Sequence, residues 1–199
     1  EAMRVDSRNE EIFIVSPNQF QDKGDRYYYD AARQLRPGQV YISRLDLNVE
    51  HGRLEVPYRP TSRLITPIVG TSEDVIGYFV INLDMAEGLP GFTTSKDSQI
   101  SRELLNREGY WLAGVSNDRL WGFMRDVPVT LAQENAELWT RINKIDRRGS
   151  FSLGGMIYSV AAVSVADLAD ASGQELFLPD QPKLFIVSKA AQYGRWFDI

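Results

Sequence analysis

Two β-prone runs separated by a short polar turn constrain the fold of this chain most strongly. Arg63–Val69 and Gly77–Leu83 are rich in Ile, Val, Phe and Tyr, which is typical of neighbouring strands. A helical stretch from Asp25 to Leu35, ended by Pro37-Gly38, precedes them, and Val40–Ser43 predicts a strand in between. Helix, strand and two adjacent long strands predict an α+β domain with an antiparallel sheet.

The rest of the chain predicts further elements around this unit. We expect a short hairpin within Leu45–Arg59, a helix at Leu131–Ile142 and a loop or hairpin tip at Ala166–Pro182. The compact apolar run Ile12–Val15 favours a buried strand. The other predicted strands are Met3–Ser7, Glu11–Ser16, Leu104–Asn106, Tyr110–Ala113, Gly155–Val165 and Lys183–Ser188.

A change of composition near the middle suggests two modules. Glu87–Ser98 is rich in Gly, Pro, Thr and Ser, which indicates a linker or a covering loop. All four tryptophans follow residue 110, whereas six of the nine tyrosines precede residue 79. We therefore predict a first module at 1–86, a linker at 87–103 and a second module at 104–199, with different cores.

Charge and composition exclude several classes of function. A net charge of −5 over 199 residues and a pI near 5.0 argue against nucleic-acid binding. Cysteine is absent and His51 is the single histidine, so thiolate and His-rich metal sites are excluded and no metal or cofactor is expected. No stretch approaches the roughly 18 to 20 apolar residues that span a bilayer.

Residues 25–85 carry a specific order of motifs. The sequence reads an aromatic-rich helix, then G-x-V-Y-x-S, then L-N-x-E-x-G, then P, R and TP, and finally G-x-x-x-x-N-x-D. The matching residues are Gly38, Val40, Tyr41, Ser43, Leu47, Asn48, Glu50, Gly52, Pro60, Arg63, Thr66, Pro67, Gly77, Asn82 and Asp84. In this order the chain resembles the double-Cache, PAS-like extracytoplasmic sensor domains of bacterial signalling receptors.

The resemblance implies a fold and a role. It implies two PAS-like modules, each a central antiparallel sheet flanked by helices, with the membrane-distal module first. It also implies an extracytoplasmic, non-catalytic sensor in a membrane-anchored parent with a kinase, cyclase or chemotaxis output, and a homodimer as a candidate assembly. The long N-terminal helix that usually opens such domains has no counterpart before the first predicted strand. A ligand signal is expected to pass through the second module to Trp196–Ile199.

The resemblance also implies a ligand site, carried over residue by residue. In the amino-acid-binding branch the ligand is surrounded by an R-x-aromatic-aromatic motif, a strand tyrosine and a closing aspartate, which correspond here to Arg26, Tyr28, Tyr29, Tyr41 and Asp84. A guanidinium suits a carboxylate, and aromatic faces with an aspartate suit an ammonium. The expected ligand is an amino acid, an amine, a purine or a small carboxylate.

Each of these residues also has a plainer interpretation. Arg26 could form a solvated ion pair beside Asp25, Tyr41 could pack in the core, and Asp84 could cap the next segment. Three consecutive tyrosines cannot all face one way on a helix. Arg63 could be structural.

Two other classes of function remain as alternatives. A protein-interaction domain would bind its partner through the polar excursion Asn48–Pro60. A secreted hydrolase would need a site around His51 or the carboxylates Asp46 and Glu50, and no nucleophile elbow or phosphate-binding loop supports it.

Overall fold

The computed structural model describes residues 1, 3–8, 11–164, 175–179 and 183–192. The strands are, in chain order, β1 (Val5–Arg8), β2 (Glu11–Ile14), β3 (Val40–Ile42), β4 (Asp46–Leu47), β5 (Val49–Glu50), β6 (Arg53–Leu54), β7 (Pro60–Val69), β8 (Val75–Asp84), β9 (Ser101–Asn106), β10 (Trp111–Ala113), β11 (Arg148–Leu153), β12 (Met156–Ser164), β13 (Leu176–Phe177) and β14 (Lys183–Ala191). The helices are α1 (Tyr27–Ala32), α2 (Leu89–Thr93), α3 (Leu131–Glu134) and α4 (Ala136–Asn143).

The first large sheet is built around the ten-residue strand β7. Strand β8 pairs antiparallel with one edge of β7. Strands β3 and β4 pair antiparallel with the other edge of β7, one after the other along its length. Helix α1 packs on this sheet through Tyr28, Ala31 and Ala32, which contact Tyr41 and Ile65. This places the aromatic helix directly against β3 and β7.

The second large sheet is antiparallel throughout, in the order β10–β9–β14–β12–β11. One face carries an apolar core with Trp111, Tyr158 and Phe185, closed by Leu138 and Ile142 of α4. Two of the tryptophans in this half of the chain, Trp111 and Trp121, are buried.

A third apolar cluster joins the two sheets. Leu47 of β4 and Leu89 of α2 pack with Leu104, Leu112 and Trp121 of the second sheet and its loops. Strand β13, from late in the chain, also pairs with β3, in parallel register. The two sheets therefore share packed contacts, and the module boundaries at 86 and 104 stay a prediction.

Most predicted elements are confirmed, including the α+β class, the helix near residues 25–35, the β5–β6 hairpin and the β7–β8 pair. The predicted helix over 131–142 is two helices, because Asn135 leaves helical geometry and its side chain caps α4 by accepting from the Leu138 N–H. Strands β11 and β13 and helix α2 were not predicted. The burial of β11 alternates along Arg-Gly-Ser-Phe-Ser-Leu. Its glycine and two serines weaken the β signal.

The expected burial of Ile12–Val15 is wrong. Ile12 and Ile14 are 74% and 79% exposed, because within the described residues β2 pairs only with β1 in a two-stranded sheet. The expectations for most of Ala166–Pro182 and for Trp196–Ile199 lie outside the described residues. Across the described ranges, no helix has the length and apolar character to cross a membrane.

Candidate functional site

Arg63 is the most unusual residue of the first sheet, because it is a charged side chain that is almost fully buried. It lies on β7, on the same inward face as Ile65 two residues along. Its Nη1 atom donates to Asp46 Oδ1 at 2.7 Å, with both side chains at most 2% exposed, and its Nη2 atom donates to Asn48 Oδ1 at 3.3 Å. Asp46 pairs with Thr61 across β4 and β7, which sets it diagonally beside Arg63.

Two tyrosines of helix α1 complete this arrangement. The Tyr27 hydroxyl donates to Asp46 Oδ2 at 2.8 Å, and the Tyr28 ring covers the Arg63 guanidinium at 4.6 Å from ring centroid to Cζ. We call Tyr27, Tyr28, Asp46, Asn48 and Arg63 the buried polar cluster. It links the helix to both strands with each buried charge paired, the condition under which buried charges are tolerated.

The ionisation of the cluster follows from burial and from these partners. Burial raises the pKa of Tyr27 above its usual value, and the charge and hydrogen bond of Asp46 raise it further. Burial also raises the pKa of Tyr28, against the opposing charge of Arg63. For Arg63, burial opposes the charged form, but Asp46, Tyr27 and Tyr28 together outweigh it, so the pKa of Arg63 is raised. The arginine is therefore charged and both tyrosines are neutral over the ordinary pH range.

A cavity of about 340 Å³ lies at the start of α1. We call it the Arg26 pocket; its lining residues are Phe20, Gln21, Asp22, Lys23, Asp25, Arg26, Val49, His51 and Gly52. Arg26 is half-buried, and its guanidinium lies 5.9 Å from the centroid of the Tyr28 ring. The pocket thus combines cations, carboxylates and one aromatic side chain, a lining suited to a small polar molecule.

Glu50 holds the wall of the Arg26 pocket together. Its carboxylate accepts from Gln21 and from Asn48, the latter at 3.0 Å, and pairs with Arg4 at 3.2 Å and Lys23 at 3.5 Å. Burial opposes ionisation of Glu50, but the hydrogen bonds from Gln21 and Asn48 and the charges of Lys23 and Arg4 lower its pKa to about 2. The N-terminal segment is thereby fastened to the β5–β6 hairpin.

The five site residues predicted from the sequence occupy different environments. Arg26 lines the pocket, and Tyr28 is buried beside Arg26 and Arg63. Tyr29 packs edge-on against Tyr78 at 5.5 Å. Tyr41 is fully buried in the core beneath α1.

Asp84, the fifth, is exposed at the end of β8. Its Oδ1 atom accepts from the Ala86 N–H at 2.9 Å, the capping contact that its sequence context also allowed. It is not among the residues that line the Arg26 pocket.

Sequence reasoning missed the Asp46–Arg63 pair and the partners of Glu50. The two carboxylates have separate partners, Asp46 on β4 and Glu50 on β5. The signal that could have found the pair is the burial periodicity of β7, which sets Arg63 in register with inward-facing residues.

A second and shallower hollow of about 500 Å³ lies on the second sheet. Arg102, Arg148, Ser150, Ser159 and Ser188 give it a polar rim. Throughout the described ranges, no group of three or more acidic or histidine side chains could hold a metal ion. Ligand binding is the chemistry that the arrangement around Arg26 supports.

Comparison with known proteins places this geometry in context. The family described as bacterial histidine kinase, sensor domain, matches residues 1–172. The extracellular domain of a protein assigned as a histidine kinase aligns over 94% of this chain and 63% of its own, with TM-score 0.72 and 19% identity. A domain of a sensory box/GGDEF family protein from Vibrio parahaemolyticus aligns over 94% and 66%, with TM-score 0.73 and 18% identity.

A weaker similarity extends to chemoreceptors. The ligand-binding domain of the Pseudomonas fluorescens chemoreceptor CtaA, solved with L-serine, aligns over 94% of this chain and 71% of its own, with TM-score 0.50 and 12% identity. The chain spans less than two thirds of the length of the first two structures. No curated protein sequence matches it. These similarities confirm the Cache-type fold expected from the motifs.

Proposed function

The chain belongs to the bacterial histidine kinase sensor domain family, and we propose that it is an extracytoplasmic sensor domain that binds a small zwitterion in the Arg26 pocket. The observation that carries this proposal is the cavity at the N-terminal end of α1, with Arg26 on its wall and the Tyr28 ring of the buried polar cluster 5.9 Å from the Arg26 guanidinium. Its volume of about 340 Å³ lies at the lower end of the range for small-molecule sites.

The charges of the pocket favour an amino acid over the other ligand classes. The Arg26 guanidinium offers a carboxylate parallel N–H donors. Asp22 and Asp25 supply negative charge for an ammonium, and both lie on the same lining. Lys23 is paired with Glu50, and Arg63 is paired with Asp46, so these cations are already compensated. The L-serine complex of CtaA places amino acids first among the compounds to test.

Signal transmission follows from differential binding. A ligand that contacts Arg26 and the start of α1 stabilises the conformation in which these groups converge, and shifts the equilibrium toward it. About 1.4 kcal/mol of differential affinity changes a two-state ratio tenfold. In the parent receptor this change reaches an output domain on the other side of the membrane.

A thermal-shift screen tests the binding proposal. L-amino acids, amines, purines and small carboxylates are compared on the wild type, on Arg26→Gln and on the control Arg33→Gln. Arg33 is an exposed arginine at the other end of the same helix. A ligand at 100 times its dissociation constant stabilises the fold by about 2.7 kcal/mol. We expect a hit that Arg26→Gln abolishes and Arg33→Gln keeps; a hit of equal size in Arg26→Gln contradicts the pocket.

One observation favours a second candidate, a protein-interaction domain. In the excursion between β5 and β7, Val56 is 80% exposed and Tyr58 is also exposed, and apolar side chains at a loop tip suit a protein partner. This candidate predicts that no compound in the screen stabilises the folded wild type.

A further inference from the structure

Strand β4 contacts both the buried polar cluster and the second sheet region. Asp46 belongs to the buried polar cluster, where it binds Arg63 and the Tyr27 hydroxyl. The next residue, Leu47, is 0% exposed and packs in the apolar cluster that contains Leu104 and Trp121 of the second sheet region. Because successive side chains of a strand point to opposite faces, one two-residue strand reaches both environments.

Backbone and side-chain contacts reinforce this bridge. The Leu47 N–H donates to the Met124 Sδ atom at 3.0 Å. Three residues earlier, the Arg44 guanidinium lies between two rings, 4.4 Å from the centroid of Tyr27 and 5.8 Å from that of Phe123. Tyr27 belongs to α1, whereas Phe123 and Met124 belong to the 3-10 turn Gly122–Met124. The helix beside the Arg26 pocket and the turn of the second module thus contact the same short segment.

We propose that the segment 44–47 couples the Arg26 pocket to the second module, with Tyr27 as the positioning residue. The proposal rests on the proposed function for its purpose, although the coupling itself can be tested without a ligand. A displacement of α1 moves the Tyr27 hydroxyl and with it Asp46. Leu47 follows on the same strand, and the cluster around Trp121 must repack because dense cores accommodate shifts in discrete steps.

The chain contains its own reporter for this coupling. All four tryptophans follow residue 110, so tryptophan emission reports on the second module and not on α1. Trp121 is buried in the same apolar cluster as Leu47. The backbone hydrogen bond from the Met124 N–H to the Trp121 carbonyl, at 2.9 Å, gives an amide whose exchange reports opening of the turn.

The test compares the same substitution, Tyr to Phe, at two positions of helix α1. Tyr27→Phe removes the hydroxyl that binds Asp46, whereas Tyr29→Phe alters a ring that packs against Tyr78, away from β4. Amide exchange by mass spectrometry and tryptophan emission are measured on both. We expect Tyr27→Phe to accelerate exchange within residues 121–124 by about fivefold and to shift the emission. Tyr29→Phe should leave both unchanged.

Coupling between sites is reciprocal, which provides a second arm. Met124→Leu removes the acceptor of the Leu47 N–H and should accelerate exchange of the α1 amides. The control Met156→Leu makes the same change beside the other core of the second sheet. The proposal is overturned if Tyr27→Phe accelerates amide exchange only within α1. It is also overturned if each test variant and its control change amide exchange equally.

None of these measurements uses a ligand. If the compound screen fails but exchange within 121–124 responds to Tyr27→Phe, the proposed ligand site falls and the coupling stands. If the screen succeeds and residues 121–124 do not respond, the coupling falls and the ligand site stands.

Discussion

The two sheets of this molecule have opposite interiors. Gln39, Ser43, Asp46, Thr61 and Arg63 are the buried polar and charged residues of the described chain, and all belong to the first sheet region. The second sheet encloses an apolar core with Trp111, Tyr158 and Phe185. Burial of apolar side chains stabilises a fold without specific partners, whereas every buried polar group needs a hydrogen-bond or ion-pair partner. The contrast supports the proposal that the binding site lies in the first sheet region, with the second sheet as its scaffold.

The helices repeat this contrast. Thr130 and Gln133 form a reciprocal capping box at the start of α3, and Asn135 caps α4. Helix α1 instead has Arg26 at its N-cap, without a capping hydrogen bond from its side chain to the helix backbone. A cation at that end is unfavourable for the helix dipole. Local rules are broken in this way mainly at functional positions, which agrees with a binding role for Arg26.

The largest effect should come from truncating the apolar interior. Phe185→Ala removes a fully buried ring that packs edge-on against Trp139 at 5.6 Å. We expect the free energy of unfolding in urea to fall by about 4 kcal/mol. The control Phe79→Ala removes an exposed ring of β8 and should cost below about 1 kcal/mol. Similar losses for both variants would remove the distinction between core and surface.

Breaking the buried pair should rank next. Asp46→Ala leaves Arg63 charged and buried without its partner, and should lower the free energy of unfolding by about 3 kcal/mol. The triple variant Tyr27→Phe/Asp46→Leu/Arg63→Met makes the interior apolar like that of the second sheet. The triple variant should regain most of the free energy of unfolding that Asp46→Ala loses, because apolar replacement of a buried ion pair is often neutral. A triple variant as unstable as Asp46→Ala would show that the pair itself stabilises the fold.

A smaller and opposite pair of effects is expected at the helix caps. Thr130→Ala should destabilise the protein by about 1 kcal/mol, because the Gln133 N–H loses its acceptor. Arg26→Ser supplies α1 with a cap and should stabilise the protein by about 0.5 kcal/mol while it weakens ligand binding. Thermal unfolding of both variants checks the signs. A destabilised Arg26→Ser would contradict the view that Arg26 is retained for binding.

A separate, pH-dependent effect concerns Glu50. Its pKa is lowered from an ordinary 4.5 to about 2 in the folded protein, so the unfolded state binds more protons between these values. Glu50 therefore stabilises the fold above about pH 4.5, and this contribution is lost as the pH falls toward 2. Glu50→Gln should flatten the acid side of the stability profile in chemical denaturation. The exposed control Glu108→Gln should follow the wild type, and an unchanged profile for Glu50→Gln would contradict the assignment.

Strands and turns could be predicted from the sequence because their signals are local. Arg63–Val69 and Gly77–Leu83 have a β-prone composition and predict β7 and β8, although each observed strand is slightly longer than its prediction. The residues predicted for the candidate site lie in different places. Arg26 and Tyr28 lie at the pocket and the cluster, whereas Asp84 is exposed and caps Ala86.

What could not be predicted depends on pairing across the sheet. Arg63 and Asp46 are 17 residues apart, and only the antiparallel register of β4 with β7 brings them together. The same holds for the contact of Leu47 with Met124, 77 residues later. Such contacts follow from tertiary packing, which a single sequence does not encode in any local pattern.

Chemical-shift mapping by NMR tests the central claim most directly. A mixture of the protein L-amino acids at millimolar concentration is added to the labelled domain, and the backbone amides are followed. A ligand site in the first module predicts shifts within residues 20–28 and 48–52, with smaller ones at 121–124. Shifts centred on Arg102 and Arg148, at the hollow of the second sheet, or no shifts anywhere, would contradict it.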